Sequence, residues 1–268
     1  MKIKYALHSV NNDPLYLDFW PLVAKLWKLK FNVTPILVYV GKDRPKLDEQ
    51  YGKVYYLRKI DGIPEAMQAQ WARFWYTQHF NESTCIISDI DMFPLSINYF
   101  IKQIETIHTN DYVHLNPCIK EYGALPACYH VATGHNFKKI FQLSYDWKQS
   151  LMTLLNFNQN LPKDFKYHNN ATTWFADERY STHQIMDTEH NVKIHLLKRK
   201  GSFESYRIDR LNWKYNHALL KHDYYIDAHL LRPFNEHSTK LEQIVEISLA
   251  ATETSPNFIQ KTYYKLLG

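Results

Sequence analysis

Apolar positions along this chain follow two rhythms. Short runs at Ile3–Val10, Thr34–Val40, Val54–Leu57 and Cys85–Asp89 have the length and β-branched content of buried strands. Between them, Leu15, Phe19, Leu22, Val23 and Leu26 recur at helical spacing and predict an amphipathic helix over Leu15–Phe31. Pro64, suited to a first turn, opens a second helix running to about Phe80, with Met67, Trp71, Phe74 and Trp75 on its core face. Alternating strands and helices mark an α/β fold, with a Rossmann-like, mixed and mainly parallel sheet flanked by helices.

Beyond Leu95 the pattern loosens. Helices are predicted at Ile97–Ile107, Phe137–Leu155, Trp174–Met186 and Leu241–Ala250, and strands at Tyr112–Leu115, Cys128–Val131, Val192–Leu197 and Tyr224–Leu231. Asn156–Asn170 reads as a loop, Lys198–Arg210 as a basic, mobile one, and Glu253–Gly268 as a last helix. With no low-complexity linker, residues 1–268 read as one domain, residues 1–95 forming one half and 96–268 the other.

Composition changes little in this picture. The chain is 45% hydrophobic and 22% charged, as globular proteins are, and its aromatic content, 20 Tyr, 14 Phe and 7 Trp, suits sugar-facing surfaces as well as cores. A net charge of +5 fits a small anionic substrate and makes no case for nucleic acid. Cys85, Cys118 and Cys128 lack C-x-x-C spacing, which argues against zinc and disulfides and for a reducing compartment. MKIKYALHSV is too short and polar for a signal core, and no run of about eighteen apolar residues is present, so a cytoplasmic chain without a transmembrane segment is expected. The sequons at Asn32, Asn81 and Asn170 read as chance matches.

Chemistry concentrates at Cys85–Leu95, CIISDIDMFPL. In an extended chain Asp89 and Asp91 share a face and Ile90 takes the other. Two adjacent carboxylates repel unless a divalent ion or another cation lies between them. Carboxylate oxygens suit Mg²⁺ and Mn²⁺. An Asp-rich turn is the plainer reading. Parallel sheets bind ligands at strand carboxyl ends, however, and His8-Ser9-Val10 and Asp89-Ile90-Asp91 both lie there. Three further stretches carry candidates. Arg73 precedes the central strand, either to bind a diphosphate or to neutralise Asp89, or as a surface ion pair. Asp177 and Glu178 stand at a helix start, where the dipole alone favours carboxylates. His229, on the polar strand face it shares with Asp227, is either a metal ligand or an ordinary histidine.

In order, these motifs resemble the nucleotide-sugar glycosyltransferases of the GT-A fold: a βα unit, a helix, an apolar strand ending in D-x-D, a D-E pair and a late histidine. The resemblance spans roughly Ile3 to Pro233. It implies that Asp89 and Asp91 bind Mn²⁺ or Mg²⁺ and a sugar-nucleotide diphosphate of UDP or GDP type, with His229 completing the metal shell. His8, Ser9 and Val10, with Ser88 and Ile90 beside the motif, would hold the nucleotide, and Arg73 the donor. Residues 1–95 would form the nucleotide-sugar half. Asp177, with Glu178 close behind, would deprotonate the hydroxyl of a glycan or other acceptor, inverting the sugar. Lys198-Arg199-Lys200-Gly201 either closes over the diphosphate or stays solvated. The alternatives are a D-x-D phosphatase, a nucleotidyltransferase and a non-catalytic sugar-binding module. The first usually carries its motif in the first strand, and the second needs a Gly-rich loop that His8–Asn12 lacks.

Overall fold

The computed structural model describes residues 1–161, 165–167, 172–197 and 206–250. In chain order the strands are β1 (Tyr5–Val10), β2 (Thr34–Gly41), β3 (Lys53–Arg58), β4 (Thr84–Ile87), β5 (Met92–Pro94), β6 (Tyr112–His114), β7 (His130–Thr133), β8 (Ile194–Leu196), β9 (Arg207–Ile208) and β10 (Asp227–His229). The α-helices are α1 (Pro14–Leu17), α2 (Trp20–Leu29), α3 (Glu65–Tyr76), α4 (Ile97–Phe100), α5 (Ile119–Tyr122), α6 (Gly134–Ile140), α7 (Trp147–Gln159), α8 (Ala176–Asp187), α9 (His217–Lys221) and α10 (Phe234–Leu249).

Seven strands form the main sheet in the order β3-β2-β1-β4-β7-β6-β8. The pairs β3–β2, β2–β1, β1–β4 and β6–β8 are parallel, and β4–β7 and β7–β6 antiparallel. The expected α/β architecture, a mainly parallel sheet flanked by helices, is therefore present. Both faces of the sheet are apolar, which is why its strands read as continuous runs. Ala6, Leu37 and Ile86 face one core with Trp20, Val23 and Trp27 of α2 and Leu241, Ile244 and Val245 of α10. Leu7, Ile36, Val38, Cys85 and Ile87 face a second core with Met67, Trp71, Phe74 and Trp75 of α3. Among the described residues no helix is long and apolar enough to cross a membrane.

Several predicted elements divide or shift. The helix expected over Leu15–Phe31 is two, α1 and α2. Asp13 caps the first, accepting from the Leu15 N–H at 3.0 Å, and Pro21 lies in the first turn of the second, where its missing N–H costs nothing. The helix expected over Phe137–Leu155 is α6 and α7, parted near Gln142, whose φ is 49°; α7 runs on to Gln159, into the start of the predicted loop. Ile97–Ile107 shortens to α4 and a 3₁₀ turn, Lys102–Ile104. The strand expected at Cys128–Val131 is His130–Thr133, because Tyr129 is in the left-handed region at φ 70°. Residues 198–205, most of the expected basic loop, and 253–268, the expected last helix, lie outside the described residues. Arg207–Ile208, read as part of that loop, is a strand.

The central strand ends at Ile87, so Asp89, Ile90 and Asp91 form the turn into β5. That turn is held by a second sheet, β5-β10-β9. β10 pairs antiparallel with β5, His229 opposite Met92, and the Leu230 N–H donates to the Asp91 carbonyl at 3.0 Å. Register alone thus carries His229 to Asp91. Behind it lies a buried ion pair. Arg207 donates to both Asp227 oxygens at 2.7 and 2.8 Å, the Tyr129 hydroxyl donates to Asp227 at 2.8 Å, and the Tyr129 N–H donates to the Ile87 carbonyl at 2.6 Å. Burial opposes the charge on Arg207, and the Asp227 carboxylate outweighs it. Removing one partner of such a pair leaves the other charged and uncompensated. Arg207→Met is therefore predicted to cost about 3–5 kcal/mol in urea unfolding. A cost within about 0.5 kcal/mol, typical of surface substitutions, would deny the pair its role.

Candidate functional site

The carboxyl ends of β1 and β4 open into a cleft of about 240 Å³. Of the residues singled out in the sequence, Ser9, Val10, Arg73, Asp89, Ile90, Asp91, Asp177, Glu178 and His229 line it. His8 and Ser88 do not. Both are fully buried behind its wall, so neither has the direct nucleotide contact expected of it. His8 lies against Trp20 and Trp27, ring centroids 6.1 and 6.4 Å away, and beside the backbone of Ser88 and Asp89. Burial, with the nearby Arg73 charge, lowers its pKa to about 3, so His8 is a neutral packing group. The Ser9 hydroxyl donates to the Ala69 carbonyl and fastens β1 to α3.

Arg73 is the pivot. Packing of Met67, Trp71 and Phe74 turns this face of α3 to the sheet and buries the guanidinium at its edge. There it pairs with Asp89, and at 3.4 Å with Asp177 at the start of α8. Burial opposes the Arg73 charge, and the two carboxylates outweigh it. Asp177 fares differently. Its side chain is 2% exposed, and burial pushes its pKa up to about 7. Arg73 and the Glu178 N–H, which donates to Asp177 Oδ1 at 2.9 Å, pull the pKa down; the charges of Glu178 and Asp89 push it up. A carboxyl that titrates near neutrality can hold or release a proton at working pH. Glu178 also lines the cleft, with Oε1 accepting from the Ala127 N–H at 3.2 Å.

The chain matches no family model and no curated protein. Among the solved structures similar to it are two of the glycosyltransferase GlyE in Streptococcus pneumoniae TIGR4, one of them the apo form. Each has 12% sequence identity and a TM-score of 0.49, and the matches cover 99% and 98% of this chain. The chain spans 64% of the length of those structures. What the cleft can do follows from its own residues.

Asp91 forms a second charged group. Its Oδ2 lies 3.2 Å from Arg210 and 3.4 Å from His229 Nε2, while His229 Nδ1 lies 3.4 Å from Asp209 Oδ2. Burial opposes ionisation of Asp91, and His229, Arg210 and Arg232 together hold its pKa below the usual carboxylate value. The expected set of Asp89, Asp91 and His229 around one cation is not gathered. Among the described residues no three His, Cys, Asp or Glu side chains are arranged to hold a metal, and Asp89 is taken by Arg73. Asp91 and His229 do fit one. Metal–ligand bonds of about 2 Å put donors 3.4 Å apart within reach of a common ion. Carboxylate and imidazole suit Mn²⁺, and Asp209 on the far ring nitrogen is the usual orienting partner of a metal-bound histidine.

Asp209 and Arg210 were missed in the sequence. The signal was the alternation Tyr206-Arg207-Ile208-Asp209, which gives a strand an apolar and a charged face. The aromatics Tyr16 and Trp174 also line the cleft, Trp174 at 46% exposure.

The raised pKa of Asp177 has a stability consequence. Folded Asp177 keeps its proton to about 7, whereas the unfolded carboxyl loses it near 3.8. Its contribution to stability is therefore full below the unfolded value and lost as pH rises through about 7. Asp177→Asn cannot ionise, so its stability relative to wild type is predicted to increase as pH is raised across that window. Urea unfolding of both proteins at stepped pH checks this, and curves that stay parallel contradict it.

Proposed function

We propose that this protein transfers a sugar from a nucleotide-diphosphate sugar to an acceptor hydroxyl. The observation that carries the reading is the Arg73 bridge. One buried guanidinium holds Asp89 at the strand end and Asp177 at the helix start, so a carboxyl titrating near 7 faces a cation-lined wall across one cleft. Sugar transfer needs both: positive charge for the leaving diphosphate and a base for the acceptor hydroxyl.

Asp91 and His229 would hold the divalent ion, Mn²⁺ or Mg²⁺, which when bound supplies Lewis-acid stabilisation of the leaving group. The remaining roles belong to the chain. Ser9, Val10 and Ile90 form the wall for a UDP- or GDP-type donor. Tyr16 and Trp174 offer flat faces for a base or a sugar of a glycan acceptor. Arg73 and Arg210 contribute positive charge beside the diphosphate. Asp177, ionised above its pKa, takes the acceptor proton as the hydroxyl oxygen attacks the anomeric carbon and the bond from that carbon to the diphosphate oxygen breaks. A single displacement of this kind inverts the anomeric centre. Glu178 is the competing base; the raised pKa of Asp177 favours Asp177. A D-x-D phosphatase would need Asp89 as a free nucleophile, and its pairing with Arg73 counts against that.

Asp177→Asn should lower turnover by about 10²–10⁴-fold, with donor binding nearly unchanged. The wild-type rate should rise with pH through about 7, and the variant should lose that limb. Steady-state rates across pH, with the product's anomeric configuration read by NMR, test the reading. Near-full turnover in Asp177→Asn but not in Glu178→Gln reassigns the base. Retained configuration rules out the single displacement.

A further inference from the structure

One short turn places opposite charges on the two groups of the cation site. Asp209 and Asn212 form an antiparallel bridge. The Asn212 N–H donates to the Asp209 carbonyl at 3.0 Å, and the Leu211 N–H to Asp209 Oδ1 at 2.8 Å. The turn leaves β9, which pairs with β10 and is anchored by Arg207 on buried Asp227. Its position is thus set from below; Arg210 lines the cleft and Asp209 lies beside His229. Asp209 Oδ2 lies 3.4 Å from His229 Nδ1, and Arg210 Nη1 lies 3.2 Å from Asp91 Oδ2. His229 Nε2 lies 3.4 Å from that same Asp91 oxygen.

One carboxylate oxygen therefore serves a guanidinium and faces an imidazole. Asp91 is buried, so like charges meeting at that oxygen are weakly screened. A divalent ion between Asp91 Oδ2 and His229 Nε2 would stand against Arg210. The neighbouring residue acts in the opposite sense. Asp209 Oδ2, 3.4 Å from Nδ1, would accept the Nδ1–H bond once an ion takes the Nε2 lone pair, the tautomer a metal requires.

We propose that Arg210 is the resident cation of the Asp91 oxygen and that a divalent ion enters by displacing it, while Asp209 orients His229 to receive that ion. The displaced guanidinium stays on the cleft wall, free to pair with an anionic ligand such as the donor diphosphate. Arg210 and Asp209 are positioning residues, and metal entry is coupled to the position of an arginine in the donor cleft. This rests on the metal-assisted reading of the same site.

The test is calorimetric titration of the full chain with Mn²⁺ alone, without nucleotide. Arg210→Gln should bind Mn²⁺ more tightly than wild type by about tenfold, the size of coupling found between contacting charges. Arg210→Lys, which keeps the charge but loses the planar fork, should fall between them. Asp209→Asn should bind about 10–100-fold more weakly. Thermal unfolding in EDTA establishes that each variant is folded. Equal affinities for wild type, Arg210→Gln and Arg210→Lys overturn the displacement while leaving a metal site. Absence of Mn²⁺ binding in all four proteins removes the metal reading and the displacement with it.

Discussion

A buried guanidinium must find negative charge or pay heavily for desolvation, and Arg73 finds it on two elements at once. Its helix, α3, is fixed on the sheet by Met67, Trp71 and Phe74, and Trp71 donates to the Ser150 hydroxyl at 3.0 Å. From that position the side chain takes Asp89 from the end of the central strand and Asp177 from the start of α8. A loop past β4 and a helix more than eighty residues later are drawn to one point. One positive charge shared by two carboxylates does not satisfy both. The more exposed, Asp89, keeps the closer contact, and the more buried, Asp177, retains its proton toward neutrality.

Beside this bridge lies a second, separate charge system. Asp91 takes Arg210 and His229, delivered by the registers of β10 against β5 and of β9 against β10. The repulsion expected between Asp89 and Asp91 is thus relieved by giving each carboxylate its own cation. The buried pair of Arg207 and Asp227, with Tyr129 reaching across from the main sheet, fixes the second system relative to the first.

The sheet and its central strand could be read from the chain because strands buried on both faces announce themselves as apolar runs. Arg73, Asp89, Asp177 and His229 could be picked out because charges beside apolar runs stand out. Their partners could not. Asp89 and Asp91 were expected to share one cation on geometric grounds that assumed an extended chain, and the strand ends at Ile87 before either of them. His8 stands at a strand end as a ligand residue would, but alternation turns it into the layer of Trp20 and Trp27. Arg210 was hidden in a stretch whose charge suggested a solvated loop. Helix breaks between Leu17 and Trp20 and near Gln142 were lost because hydrophobic spacing continues across them.

The most direct measurement is a carboxyl ¹³C NMR titration of Asp177 in folded wild type and in Arg73→Met. Removing the guanidinium takes away the charge that lowers the Asp177 pKa, so its midpoint should move upward from about 7. A midpoint that stays in place or falls would contradict the bridge.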